Sequence, residues 1–181
     1  MLFQLNINLS EEDYLAFNIF HSFESMHGKK AIRKSRLFFA LAMIILAVLV
    51  MLVTGVTTFS VIYAAMLLLF TSLYMVFFKK IFTRNINAQI KRLKKIGKLP
   101  YDPISTLEFH EDKMAEISAS KRTEHGYNIF ERICIVKDRY IFMYHNSVGA
   151  YILPVEQLNT QLNQKDFVDF LSAKCTNFEY Y

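Results

Sequence analysis

The chain has 181 residues, 53% of them hydrophobic, with 21 Lys and Arg, 16 Asp and Glu and two cysteines. The cysteines, Cys134 and Cys175, share no CxxC spacing and have no matching His, which indicates neither a disulfide framework nor a metal site and suits thiols kept in a reducing cytosol. Charge is segregated: residues 25–101 contain no acid and hold 13 of the 21 bases, leaving 8 bases against 16 acids elsewhere, and a part this acidic does not grip nucleic acid despite an isoelectric point near 9.1.

In chain order, residues 2–9 place Phe3, Leu5, Ile7 and Leu9 on one face and Gln4, Asn6 and Asn8 on the other, a period of two that predicts a half-buried strand able to join a sheet formed later in the chain. Ser10 followed by Glu11, Glu12 and Asp13 is an N-cap with acids over the first turn, so a helix is expected from residue 11 to about 26. Its apolar residues Tyr14, Leu15, Phe17, Ile19, Phe20 and Phe23 are too dense for a solvated stripe and predict packing on protein or at a lipid interface.

Residues 37–78 carry no Asp, Glu, Lys, Arg or His. A hydrocarbon core needs about 20 apolar residues as helix, so this run reads as two spans, at 37–53 and 59–78, broken by the Thr, Gly and Phe residues of 54–58. The run begins too far from the N-terminus for a signal peptide, and the first segment is expected to stay on the protein. Lys29, Lys30, Arg33, Lys34 and Arg36 precede the run; Lys79, Lys80, Arg84, Lys91, Arg92, Lys94, Lys95 and Lys98 follow it. By the positive-inside rule both termini are cytoplasmic, in a multi-pass protein of the cell membrane, and all of these bases but Lys98 are candidate contacts for anionic inner-leaflet lipids.

Residues 81–98 interleave Ile86, Ile90 and Leu93 with bases, a basic amphipathic helix that ends at Gly97 before a linker at 99–103 containing Pro100 and Pro103. Short strand signals follow at 104–109, 114–118, 120–124, 129–136, 139–145 and 150–153, separated by turns, with a helix at 164–174 capped by Asn163 and turning Phe167, Phe170 and Leu171 to the sheet. The expected organisation is an α+β membrane protein. It has a cytoplasmic strand and helix at 1–36, transmembrane helices at 37–53 and 59–78 with an external turn at 54–58, a basic juxtamembrane helix at 79–100, and a cytoplasmic antiparallel-sheet domain with a C-terminal helix at 101–181.

Chemistry-bearing motifs are sparse. His21, His27, His110, His125 and His145 lack metal-ligand spacing, no phosphate-binding glycine loop or nucleophile elbow occurs, and Glu111, Asp112 and Glu116 read as a solubilising hairpin tip. Within the spans only the phenols of Tyr63 and Tyr74 can ionise, which argues against a proton or ion pathway, while Ala40, Ala42, Ala47, Ala64 and Ala65 suit close helix packing or pairing in a homo-oligomer. No catalytic residue, cofactor or metal is expected.

Three stretches carry a family resemblance: L-S-E-E-D-Y-L-A-F-N-I-F-H at 9–21, K-D-R-Y-I-F-M-Y at 137–144 within the strand-rich part 104–145, and I-L-P-V at 152–155. On these the chain resembles the YcxB-like family of bacterial membrane proteins. The resemblance implies a cytoplasmic C-terminal domain similar to the bacterial pleckstrin-homology-like (PH-like) fold, no established enzymatic activity and no catalytic residues to assign. The expected role is a non-enzymatic membrane-anchored module that binds a protein partner, the acidic balance favouring protein over anionic lipid as its ligand. The alternative is an accessory subunit of a transporter or membrane-enzyme complex.

Overall fold

A computed structural model describes residues 1–119 and 121–181 and divides the chain into two compact units, Met1–Phe17 with Ile90–Tyr181 and Asn18–Gln89. The unit containing residues 101–181 thus also takes in the N-terminal strand, the start of the first helix and the end of the basic one. Ser120, the first residue of one expected strand, lies outside the described residues.

In the first unit, β1 (Phe3–Asn8) pairs antiparallel with β2 (Ile104–Phe109), from Phe3 opposite Phe109 to Asn8 opposite Ile104. Strands β3 (Lys113–Ser118) and β4 (Arg122–Gly126) continue the meander in the order β1-β2-β3-β4. A second sheet holds β5 (Arg132–Val136), β6 (Tyr140–Tyr144), β7 (Ala150–Pro154) and a three-residue β8 (Phe178–Tyr180), in the order β7-β6-β5-β8. The expected single antiparallel sheet is therefore two, and β8 runs parallel to β5. The expected start of β5 at 129 is displaced because Tyr127–Ile129 form a 3₁₀ turn.

The alternation in β1 does what its period requires: Leu5 and Ile7 are buried while Gln4, Asn6 and Asn8 face outward. Leu5 and Ile7 share a core with Leu107, Phe109, Ile133, Ile141, Met143 and Leu153. The core is closed by Phe167 and Leu171 of the helix at Gln164–Lys174 (α5), and the Phe167 ring meets those of Phe109 and Phe3 edge-on at 4.9 and 5.6 Å.

Two helices follow β7 where one was expected, because α4 (Val155–Asn159) precedes α5 (Gln164–Lys174). The extra turn protects the β1 edge. The Gln157 amide accepts from the Asn8 N–H at 2.9 Å and donates to the Asn8 carbonyl at 2.8 Å; Gln161 does the same for Asn6 at 2.7 and 2.9 Å. Two side-chain amides thus replace the next strand, satisfying peptide groups that would otherwise invite another chain.

Ser10 caps α1 (Glu11–Ile19) through a reciprocal box: its Oγ accepts from the Asp13 N–H and the Asp13 carboxylate accepts from the Ser10 N–H. The helix expected from residue 11 to about 26 runs to Glu24, its last five residues in the wider π form. In the second unit a π turn at Phe20–Glu24 ends at buried Ser25, whose Oγ accepts from the Gly28 N–H and donates to the His21 carbonyl. A Cβ on Gly28 would lie 2.0 Å from that same carbonyl oxygen, so this reversal requires glycine.

Helices α2 (Met26–Thr54) and α3 (Thr58–Lys95) are both long and apolar enough to cross a membrane. The break is made by Gly55 at φ +72° and by Thr57 and Ser60, which cap the start of α3 through paired backbone-to-hydroxyl bonds. Ala47 and Ala64 are buried, and the rings of Phe39 and Tyr74 approach to 4.6 Å. The second apolar stretch and the basic segment form one helix, about 57 Å long at 1.5 Å per residue. It ends in a Schellman motif: Gly97 is at φ +67°, and Lys98 N–H and Gly97 N–H bond to the Leu93 and Lys94 carbonyls.

Leu5→Ala is expected to cost about 2–5 kcal/mol, read as a lower unfolding midpoint in mild detergent. Replacing Gln157 and Gln161 together by Ala bares the Asn6 and Asn8 peptide groups and is expected to cost about 1–3 kcal/mol and to promote aggregation. A deletion of residues 1–9 that left stability unchanged would contradict the pairing of β1 with β2.

Candidate functional site

The first unit contains a cavity of about 650 Å³ whose lining comes from both sheets, the loop at 145–149, residues 99–102 and the aromatic side of α1. It lies where β1 ends and β2 begins, and the three segments that shape its mouth are the β3–β4 turn at Lys121, the β6–β7 loop and the linker. Period-two placement on β3 turns Glu116 toward it, with its side chain only 13% exposed. Glu116 is therefore a strand residue in a cavity and not part of the charged hairpin tip.

Around Glu116 the fold gathers groups that are far apart in sequence. The Tyr151 hydroxyl donates to its carboxylate at 3.5 Å, and Lys121 Nζ lies 3.7 Å from it and 3.6 Å from Asp102. The imidazoles of His125 and His145 flank the Tyr151 ring, at centroid distances of 6.4 and 5.5 Å. Burial, reinforced by the Glu116 charge, pushes the Tyr151 phenol well above its ordinary range. Partial burial and then the neighbouring His125 hold the His145 imidazole below its usual 6.5, with Glu116 and Glu131 opposing.

The loop at 145–149 is built to hold that imidazole. Asn146 Oδ1 accepts from the Val148 and Gly149 N–H groups, and a Cβ on Gly149 would sit 2.8 Å from His145 Cε1. Val148 is left 69% exposed at the tip. The five histidines show no metal-ligand pattern in sequence, yet the approach of the two sheets brings His125 of the first and His145 at the end of the second to one tyrosine; a one-dimensional spacing rule cannot register this.

On the outer face of the second sheet, Phe17 of α1 packs against Phe142 and Tyr144 at 5.3 and 5.8 Å. The Tyr140 hydroxyl donates to Asp13 at 2.9 Å, and burial together with that carboxylate pushes the phenol up to about 12. Cys134 donates to Glu179 at 3.4 Å and is buried, its thiol pushed up to about 12 by burial and then by Glu179. Arg132 stacks 4.1 Å over Tyr144. Cys175 is also buried, with a raised thiol. A second hollow, a groove of about 830 Å³ along α5 that Ile135 and Tyr180 help to line, gathers only Lys165 and Asp169 as charges.

The bases singled out in sequence lie elsewhere. Lys29, Lys30, Arg33, Lys34 and Arg36 are on α2, and Lys79, Lys80, Arg84, Lys91, Arg92, Lys94 and Lys95 on α3; all are exposed except the half-buried Arg36. Lys94 pairs with Glu11, which raises its pKa, and Lys79 lies 4.0 Å from Glu24. None of them lines the inter-sheet cavity.

Residues 109–171 match the family model described as YcxB-like protein. Over this stretch the chain is similar to that family. The match runs from the last residue of β2 to the buried Leu171 of α5, so it contains Glu116, Lys121, His125, His145 and Tyr151. It leaves out β1, which supplies Leu5 and Ile7 to the core that the matched residues share. No curated protein and no solved structure matches the chain.

In an NMR titration His145 is expected to show a midpoint below 6.5, moving up toward that value in His125→Ala. Since the folded state favours neutral His145, its contribution to stability is complete above about 6.5 and is lost as the pH falls through the lower folded midpoint. A midpoint at or above 6.5 in the unaltered protein would contradict the described site.

Proposed function

We propose that the protein is a non-enzymatic, membrane-anchored interaction module of the cell membrane. In this reading α2 and α3 cross the bilayer as a hairpin, both termini are cytoplasmic, and the YcxB-like domain, PH-like in build, offers its cavity and the β4 edge to a protein segment. The observation that carries the reading is the pairing of β1 with β2. These strands flank the helices in sequence, and they can share a sheet only if the chain returns to the side from which it left. One crossing by each helix meets that condition, and the bases on both flanks support a cytoplasmic location for that side.

Antiparallel sheets closed by a C-terminal helix support the PH-like description. Among the described residues no strand pairs with the outer side of β4, whereas glutamines fill the corresponding place beside β1. An open edge next to a mixed polar and aromatic cavity is suited to β-augmentation, with the cavity reading a side chain. Residues 101–181 carry 12 acids against 8 bases, which favours a protein ligand for this face over an anionic headgroup. Binding without catalysis is supported by Glu116, whose carboxylate is shared between Tyr151 and Lys121 instead of standing free for proton transfer.

The buried native thiols give a silent background for a topology test. Val56→Cys is expected to react with a membrane-impermeant maleimide on intact cells, and Glu111→Cys only after permeabilisation; the opposite pattern rejects the proposed orientation. A photo-crosslinker at Thr123 on β4 is expected to give a discrete protein adduct that one at Gln4 on β1 does not. Adducts formed from Phe70 on α3 and absent from Thr123 would favour the accessory-subunit reading.

A further inference from the structure

We propose that Lys29, Arg33 and Arg36 on α2 form a binding site for a phosphate-type anion, supplied in the membrane by the headgroup of an anionic lipid. The site deepens the membrane reading above and rests on it for the source of the phosphate. It lies wholly within the second unit, as a cavity of about 250 Å³ lined by Phe23, Lys29, Ile32, Arg33 and Arg36.

Spacing separates this group from bases that serve topology alone. Positions 29, 32, 33 and 36 recur at i, i+3, i+4 and i+7 and fall on one stripe of the helix, while Lys30 and Lys34 lie off it. Orientation in a membrane counts bases without regard to helix face, so the positive-inside rule does not require three of five to converge on a cavity. Like charges on one stripe repel, and an anion held among them turns that repulsion into attraction.

Counter-charge within the protein is scarce. The sole acid of residues 18–89 is Glu24, and its carboxylate faces Lys79 at 4.0 Å. Arg36 is held with its guanidinium 5.2 Å from the centre of the Phe78 ring, and its Nε is buried without a hydrogen-bond partner. A buried guanidinium N–H wants an acceptor, and the planar fork of arginine fits the oxygens of a phosphate. Phe23 and Ile32 add an apolar wall, suited to the glycerol and first methylenes of a lipid.

Depth agrees with a headgroup. Arg36 immediately precedes the uncharged run at Leu37, and at 1.5 Å per residue Lys29 lies about 10 Å further along the axis. The three bases therefore span the band in which headgroup phosphates lie when α2 crosses a bilayer.

The test uses the full chain purified in mild detergent, with native mass spectrometry and thermal unfolding as readouts. The probes are short-chain phosphatidylglycerol, short-chain phosphatidylcholine and inorganic phosphate. Phosphatidylglycerol is expected to be retained and to raise the unfolding midpoint, and phosphatidylcholine to do neither. Arg33→Gln with Arg36→Gln is expected to weaken phosphatidylglycerol binding at least about tenfold, a loss of about 1.4 kcal/mol. Lys91→Gln with Arg92→Gln, which removes the same charge outside the cavity, is expected to change it less than about threefold by screening alone. Equal losses in the two pairs overturn the site. Should the Gln pair fail to fold, Arg33→Lys with Arg36→Lys keeps the charge and removes the fork; unchanged affinity there overturns it too. Inorganic phosphate that displaces the lipid and gives the same midpoint shift assigns the phosphate to solution and overturns the lipid source. Alkaline carbonate extraction of the unaltered protein from membranes would reject the membrane reading alone, because phosphate binding in solution is measured separately.

Discussion

Antiparallel pairing of Phe3–Asn8 with Ile104–Phe109 is the constraint on which the first unit depends. It closes a loop of 95 intervening residues, at a chain-entropy cost of about 4 kcal/mol by the logarithmic scaling for flexible loops. Two long helices fill most of that loop, so little of it is flexible, and the cost is smaller than its length suggests. Burial of Leu5 and Ile7 between the sheet and α5 offsets it, at about 1.5–3 kcal/mol per fully buried aliphatic side chain. The stretch at residues 109–171 that matches the family model is thus completed by a strand from near the N-terminus.

The edges of the two sheets are treated unequally. Beside β1 the amides of Gln157 and Gln161 reproduce the donor and acceptor pattern of a strand, and beside β5 the chain lays down its own β8. The covered β1 edge lies beside α4, where an incoming chain would compete with packing, while β8 becomes the short outer strand of its own sheet. The β4 edge has no such cover among the described residues, and it borders the cavity in which Glu116, Tyr151, His125 and His145 meet. Polar groups gathered in a partly closed space interact more strongly than on an open surface, which is why burial and near neighbours displace the Tyr151 and His145 titrations there.

Charge follows a separate logic in the second unit. The acid-free segment at residues 25–101 holds 13 bases, and most of them are exposed. Helical spacing sorts some of them onto one face, where Arg36 lies against Phe78 with its Nε buried.

Composition and period alone determined the two apolar helices, the Ser10 cap, the glycine stop at residue 97 and most strands, because each rests on a local rule: side-chain alternation, a capping hydroxyl, a left-handed residue. The inward face of β1 was legible in the same way. Tertiary structure alone decided that the strands form two sheets, that β8 runs parallel to β5, and that a π turn at Phe20–Glu24 ends the first helix against Gly28. Those features depend on close approach between segments, which no window of sequence contains. The candidate cavity was illegible for the same reason: Glu116 looks like part of a charged turn, and His125 and His145 look unrelated, until the approach of the two sheets sets both imidazoles against Tyr151 and strand alternation turns the carboxylate inward.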